Sequence, residues 1–188
     1  MAMEIFALVT GVLFLLCEIR QNNLMWLLQA ISGVASVIVF CRQGLYASMG
    51  LNVYYVAMAI WGYVQWKADS GSVDSGAVHL RKLSGAVVAL SVIAQAVGTV
   101  LFIYVLRLLG DPMSGLDAGV TVLSIVATWW LVRSYKEQWI LWILADVLTA
   151  VMCASQSLWW MCALYAFYTV SAVYGFFYWR RRGEYVRD

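Results

Sequence analysis

The chain has 188 residues, 64% of them hydrophobic and 12% charged. A soluble domain holds roughly 25% charged and at most about 50% apolar residues. A chain this short has no core large enough to hide the surplus, which excludes a water-soluble globule, and a formal net charge of +2 makes lipid bilayer, not nucleic acid, the expected partner.

In chain order, seven apolar segments approach the about 20 residues that a membrane span needs. The first, Ala2–Cys17, begins at once and bears Glu4 where a cleaved leader would be basic, so it reads as a helix that stays. Leu24–Cys41 and Leu45–Trp66 follow across short polar joints. Lys67–Lys82, rich in Ser, Gly and Asp, is expected as a flexible loop dividing the chain, with the lone histidine, His79, given no role. Leu83–Leu109, Gly115–Val132, Gln138–Ala154 and Leu158–Trp179 complete the set, with the single proline, Pro112, in a loop. Cys17, Cys41, Cys153 and Cys162 lie inside apolar runs and read as small hydrophobes, not disulfides or metal ligands.

Arg20, Lys67, Arg81, Lys82, Arg133, Lys136, Arg180, Arg181, Arg182 and Arg187 gather on one side of the seven spans, against Arg42 and Arg107 on the other. Cytoplasmic loops collect Lys and Arg, which places the C-terminus in the cytoplasm and the N-terminus outside.

The second half repeats the first. With Trp26 laid on Trp139, Gln43 meets Gln156, Tyr55 meets Tyr168, Gly62 meets Gly175 and Trp66 meets Trp179, and even Arg20 falls on Arg133. Spans one to three therefore correspond to spans five to seven, and the odd helix between them keeps both halves in one orientation. The expected fold is all-α: two parallel three-helix bundles joined by a linking helix, the 3+1+3 arrangement of the SWEET transporters. Its parts are a first bundle over 1–66, a cytoplasmic loop over 67–82, the linking helix over 83–109, a second bundle over 110–179 and a cytoplasmic tail over 180–188. Parallel repeats of this kind place a substrate site near the midplane between the halves. A duplicated bundle that is only a scaffold is the alternative.

Asp146 falls near the centre of the sixth span, where an ionisable group costs about 2.5–3.5 kcal/mol to insert. No Lys or Arg stands at matching depth in another span. The carboxyl is therefore protonated, hydrogen-bonded to an amide such as Gln29 or Gln95, or paired with a cationic ligand. Trp139, Trp142 and Asp146 share one helix face, and two indoles beside a carboxylate make a cage for a flat cation. Trp139 also suits an interfacial aromatic belt. The halves diverge at Asp146, whose repeat mate is Gly33. Asn52 and Tyr55 on the third span, and their mates Tyr165 and Tyr168 on the seventh, are further site candidates. Gln29 and Gln95 either serve a ligand or bind helices together. Trp66 and Trp179 read as interface anchors, and Glu18 and Asp117 as span-end groups that reach water. With no P-loop and no Ser–His or metal-binding constellation, neither enzymatic activity nor a cofactor is expected.

These residues resemble a known family. Gln138–Asp146 (QWILWILAD) fits the W-x-x-W-x-x-x-N/D signature of the Pnu family of bacterial vitamin transporters. EIRQNNLMW at Glu18–Trp26, the aromatic run Gly44–Trp66 and the ending Leu164–Arg182 are similar to that family too, so the likeness spans nearly the whole chain. The resemblance implies a SWEET-like fold in the bacterial inner membrane and homotrimers. It also implies uptake of nicotinamide riboside by facilitated diffusion, with trapping by a cytoplasmic kinase that phosphorylates the substrate. Trp139, Trp142 and Asp146 match the motif positions. Nicotinamide riboside carriers often show Asn where this chain has Asp146, and a carboxylate suits a permanent cation. Nicotinamide riboside and thiamine both carry one, which makes thiamine the close alternative, ahead of a neutral sugar or nucleoside.

Overall fold

The computed structural model describes residues 2–43, 46–74, 76–108 and 115–186, those at 2–10, 46, 47 and 106 by their backbone alone. The span ends expected at Leu45 and Leu109, the loop position of Pro112 and the tail residue Arg187 lie outside the described residues. Seven α-helices are present among them: α1 (Ala2–Ile19), α2 (Leu24–Gln43), α3 (Tyr46–Asp69), α4 (Gly85–Leu108), α5 (Gly115–Val132), α6 (Gln138–Ser155) and α7 (Trp159–Arg182). Two short strands accompany them, β1 (Val78–Leu80) and β2 (Gly183–Tyr185). Among the described residues, five helical stretches are long and apolar enough to cross a membrane: Leu24–Gln43, Gly85–Val105, Gly115–Val132, Gln138–Ser155 and Trp159–Arg182. Helices suit that setting because each satisfies its own backbone where no water can.

The chain divides into two compact units, Met1–Leu80 with Arg181–Asp188, and Arg81–Arg180. In the first, α1 packs on α2 and α2 on α3. Glycine permits the close approach: a Cβ on Gly33 would stand 2.6 Å from Val56 Cγ2 and 3.6 Å from the Asn52 carbonyl oxygen. Asn22 begins α2 by accepting the Leu24 N–H at 2.9 Å on its side-chain oxygen, the usual cap for an orphan donor.

The segment expected as a flexible loop is built structure. A 3-10 turn at Ser70–Ser72 leads to β1, which pairs in parallel with β2 in the register Val78 to Gly183, His79 to Glu184 and Leu80 to Tyr185. His79 is 3% exposed, not a solvated loop residue. Its ring meets Trp66 edge-on at 5.6 Å, and its backbone exchanges two hydrogen bonds with the Gln21 side-chain amide, at 3.0 and 2.9 Å. The Val-His-Leu triplet buries all three side chains, and ladder and amide together satisfy its main chain.

In the second unit α4 packs on α5 and α5 on α6. Two polar ties hold α4 to α5: Trp130 Nε1–H donates to Ser91 Oγ at 2.9 Å, and Gln95 Nε2–H donates to the Gly119 carbonyl at 2.9 Å. Val126, Trp130 and Tyr135 form the core, with Leu83, Val87, Trp129 and Leu141 against it. The repeat register is visible in the joints: Gln21 and its mate Ser134 both close a helix with positive φ, 52° and 55°.

Two expectations are corrected. Glu18 does not reach water; it is 5% exposed. Trp66 and Trp179 are not lipid-facing anchors. They are 1% and 0% exposed, each packed edge-on against the tryptophan that starts the preceding span, Trp26 at 4.9 Å and Trp139 at 5.5 Å. Indole is large enough to fill the space that two helices leave around a glycine, and that packing wins over the interface.

Candidate functional site

The second unit concentrates the polar groups singled out in the sequence. On α6, Trp142 and Asp146 stand one turn apart on a single face. Asp146 is 8% exposed, within electrostatic reach of the Tyr165 and Tyr168 hydroxyls on α7. Those two rings meet edge-on at 6.0 Å. Among the described residues no hydrogen bond or ion pair reaches the Asp146 carboxylate. Thr149, one turn on, bonds back to the Ala145 carbonyl at 2.8 Å and so spends its hydroxyl proton within its own helix.

Gln95 is not the partner of Asp146. Its amide protons go to Gly119 and to Thr99 Oγ1 at 3.2 Å, binding α4 to α5, while its Oε1 is buried with no donor. Trp142 Nε1–H is also buried without an acceptor. A buried donor left open costs about 1–3 kcal/mol, so α6, which holds an open indole N–H and a carboxylate with no partner among the described residues, favours a polar ligand. Trp139 is placed differently from Trp142. It is 1% exposed, with Trp179 on its edge and Gly175 beneath its six-membered ring.

In the first unit, Asn52 Nδ2–H donates to the Ser48 carbonyl at 2.9 Å in its own helix. Tyr55 lies half-buried beside Tyr54, ring centres 5.6 Å apart. Gln29 is half-buried and its Oε1 has no donor. The two units use one frame for different ends. At Gly33 the first lets α3 close onto α2, and at the equivalent position the second carries the carboxylate of Asp146.

A cavity of about 220 Å³ lies among α4, α5 and α6, lined by Val88, Val92, Leu123 and Leu141 with Ser91 and Gln95. Sequence reasoning missed the structural roles of Gln21, His79 and Trp179, the last signalled only by the recurrence of Trp in the repeat register.

The profile of the family described as nicotinamide mononucleotide transporter matches residues 1–181. The nicotinamide riboside transporter PnuC of Haemophilus influenzae is 25% identical over 185 residues, covering 93% of this chain and 79% of that protein. The riboflavin/roseoflavin transporter RibM of Streptomyces davaonensis is 30% identical over 143 residues, covering 74% of this chain and 66% of its own length. The crystal structure of the vitamin B3 transporter PnuC superimposes with a TM-score of 0.70 at 28% identity, over 92% of this chain and 78% of that one.

Proposed function

The chain belongs to the nicotinamide mononucleotide transporter family, and on that premise we propose that it is a multi-pass membrane carrier for a cationic vitamin, nicotinamide riboside first. It is a transporter and not an enzyme. The observation that carries the substrate class is Asp146, a carboxylate inside a span that no cation or hydrogen-bond donor among the described residues reaches. A pyridinium ring brings a permanent positive charge. The carboxylate attracts it, and the faces of Trp142, Tyr165 and Tyr168 add cation–π attraction of about 0.5–2 kcal/mol each when dry. Trp142 Nε1–H and Gln95 Oε1 offer one donor and one acceptor for amide or ribose groups. Trp139, on the helix face that it shares with Trp142, supports this set from its packing against Gly175 and Trp179. Gln29, Asn52 and Tyr55 are the proposed substrate contacts of the first unit.

In the same reading α1–α3 and α5–α7 are parallel halves linked by α4, as in the SWEET proteins. The carrier is a trimer in the bacterial inner membrane, N-terminus outside and C-terminus in the cytoplasm. Transport is downhill, and a cytoplasmic kinase traps the product by phosphorylation. The one-sided basic residues support the orientation, and the repeat-matched Gly–Trp packing supports two related halves.

Two other substrates have a specific reason behind them. Thiamine carries a permanent cation on a flat ring, and one relative is a riboflavin transporter. Calorimetry on the purified protein with nicotinamide riboside, thiamine and riboflavin separates the three. Binding of nicotinamide riboside, lost in Asp146→Ala, is the expected result. Binding of riboflavin alone, or of no cation, overturns the reading.

A further inference from the structure

Each unit holds one tryptophan between a glycine and a second tryptophan. In the second unit a Cβ on Gly175 would stand 2.6, 2.7 and 2.8 Å from Trp139 Cζ2, Cη2 and Cε2. Trp179 meets the same indole edge-on at 5.5 Å with an interplanar angle of 86°. Trp139 is 1% exposed and Trp179 0%, so the ring has no free volume into which to turn. The first unit repeats this: a Cβ on Gly62 would stand 2.5 Å from Trp26 Cε2 and Cζ2, and Trp66 meets Trp26 at 4.9 Å and 74°.

The clasp sits in register with the candidate site. From Trp139 to Asp146 along α6, and from Gly175 back to Tyr168 along α7, the distance is about two turns, or roughly 10 Å. Consecutive spans run antiparallel, so the pair Trp139–Gly175 and the pair Asp146–Tyr168 are two rungs of one helix pair. The first rung has no slack. The second has a carboxylate and a phenol with no hydrogen bond between them. In the first unit the equivalent upper rung is Gly33 and Tyr55, which carries no carboxylate.

We propose that Gly175 is a positioning residue: with Trp139 and Trp179 it fixes the α6–α7 spacing at which Asp146 and the Tyr165–Tyr168 pair receive the cation. It does not touch the substrate. This rests on the Asp146 site proposed above. A methyl on Gly175 cannot be absorbed by the wedged indole, so α7 moves off α6 and the phenols move off the carboxylate. Gly62→Ala inflicts the same steric insult on a helix pair without the carboxylate, and serves as the packing control.

The test is a double-mutant cycle on the full-length protein, read by calorimetry with nicotinamide riboside. Gly175→Ala is expected to weaken binding about tenfold, and Gly175→Ala with Asp146→Asn to be no weaker than Asp146→Asn alone, because coupled residues are non-additive. Gly62→Ala and Asp146→Asn are expected to combine additively. Trp179→Phe, which trims the backing ring without adding a clash, is expected to couple to Asp146→Asn in the same way and answers the question if Gly175→Ala fails to fold. Additive effects of Gly175→Ala and Trp179→Phe with a damaging Asp146→Asn overturn the positioning role and leave the site standing. An Asp146→Asn protein that binds as tightly as the wild type overturns the site itself.

Discussion

Gln21 offers a prediction whose size can be worked from the structure. Its side-chain amide donates to the His79 carbonyl at 3.0 Å and accepts the His79 N–H at 2.9 Å. Gln21→Ala removes both bonds and leaves a partly buried main-chain pair unserved. At about 0.5–1.5 kcal/mol for each bond, the loss is about 1–3 kcal/mol. Gln21 also holds φ at 52°, a left-handed conformation that costs a side-chain-bearing residue about 1–2 kcal/mol. Gln21→Gly therefore loses the same bonds but relieves that strain, and is expected to recover roughly 1 kcal/mol relative to Gln21→Ala. For a chain of this length 1 kcal/mol corresponds to about 2–4 °C in the unfolding midpoint. Thermal unfolding in detergent should therefore rank wild type above Gln21→Gly above Gln21→Ala, with the alanine variant lower than wild type by several degrees. An alanine variant as stable as wild type would show that β1 is held by its ladder alone. A glycine variant less stable than the alanine one would refute the conformational argument.

Asp146→Asn is expected to weaken nicotinamide riboside binding by about 1–3 kcal/mol, the cost of turning a charge-assisted contact into a neutral one; an unchanged affinity in calorimetry contradicts an ionised Asp146 at the site. Trp142→Phe keeps a ring but removes the open N–H, so a loss of about 0.5–1.5 kcal/mol with unaltered thermal stability is expected, and a stability loss without an affinity loss argues for packing instead. Trp130→Phe breaks the 2.9 Å bond to Ser91; it should lower stability by about 1–3 kcal/mol by leaving a buried hydroxyl unserved, while equilibrium binding is unaffected.

The membrane-spanning character was legible because it depends only on length and apolar composition, as at Gly85–Val105 and Gln138–Ser155. The repeat was legible at Trp26, Gly62 and Trp66 because tryptophan and glycine are rarely interchangeable in a tight helix contact, and both units do pack those residues alike. What these residues touch was not legible. A tryptophan next to a lysine or arginine at a span end has the same local sequence whether it faces headgroups or a neighbouring indole, so Trp66 and Trp179 read as anchors and proved to be core. The β1–β2 pair was hidden for another reason: strands of three residues carry no periodic signal, and their partner lies at the far end of the chain. His79 was misread along with it. Around Asp146, sequence spacing was enough to align Trp142 on α6, because one helix fixes its own faces. Gln95 shows where spacing stops helping, since its amide protons go to Gly119 and Thr99.

The most direct test of the central claim is uptake of labelled nicotinamide riboside into vesicles reconstituted with the purified protein, with no ion gradient imposed. The account predicts saturable uptake that equilibrates without concentrating the substrate and disappears in Asp146→Ala. No uptake, or uptake that Asp146→Ala leaves intact, would contradict it.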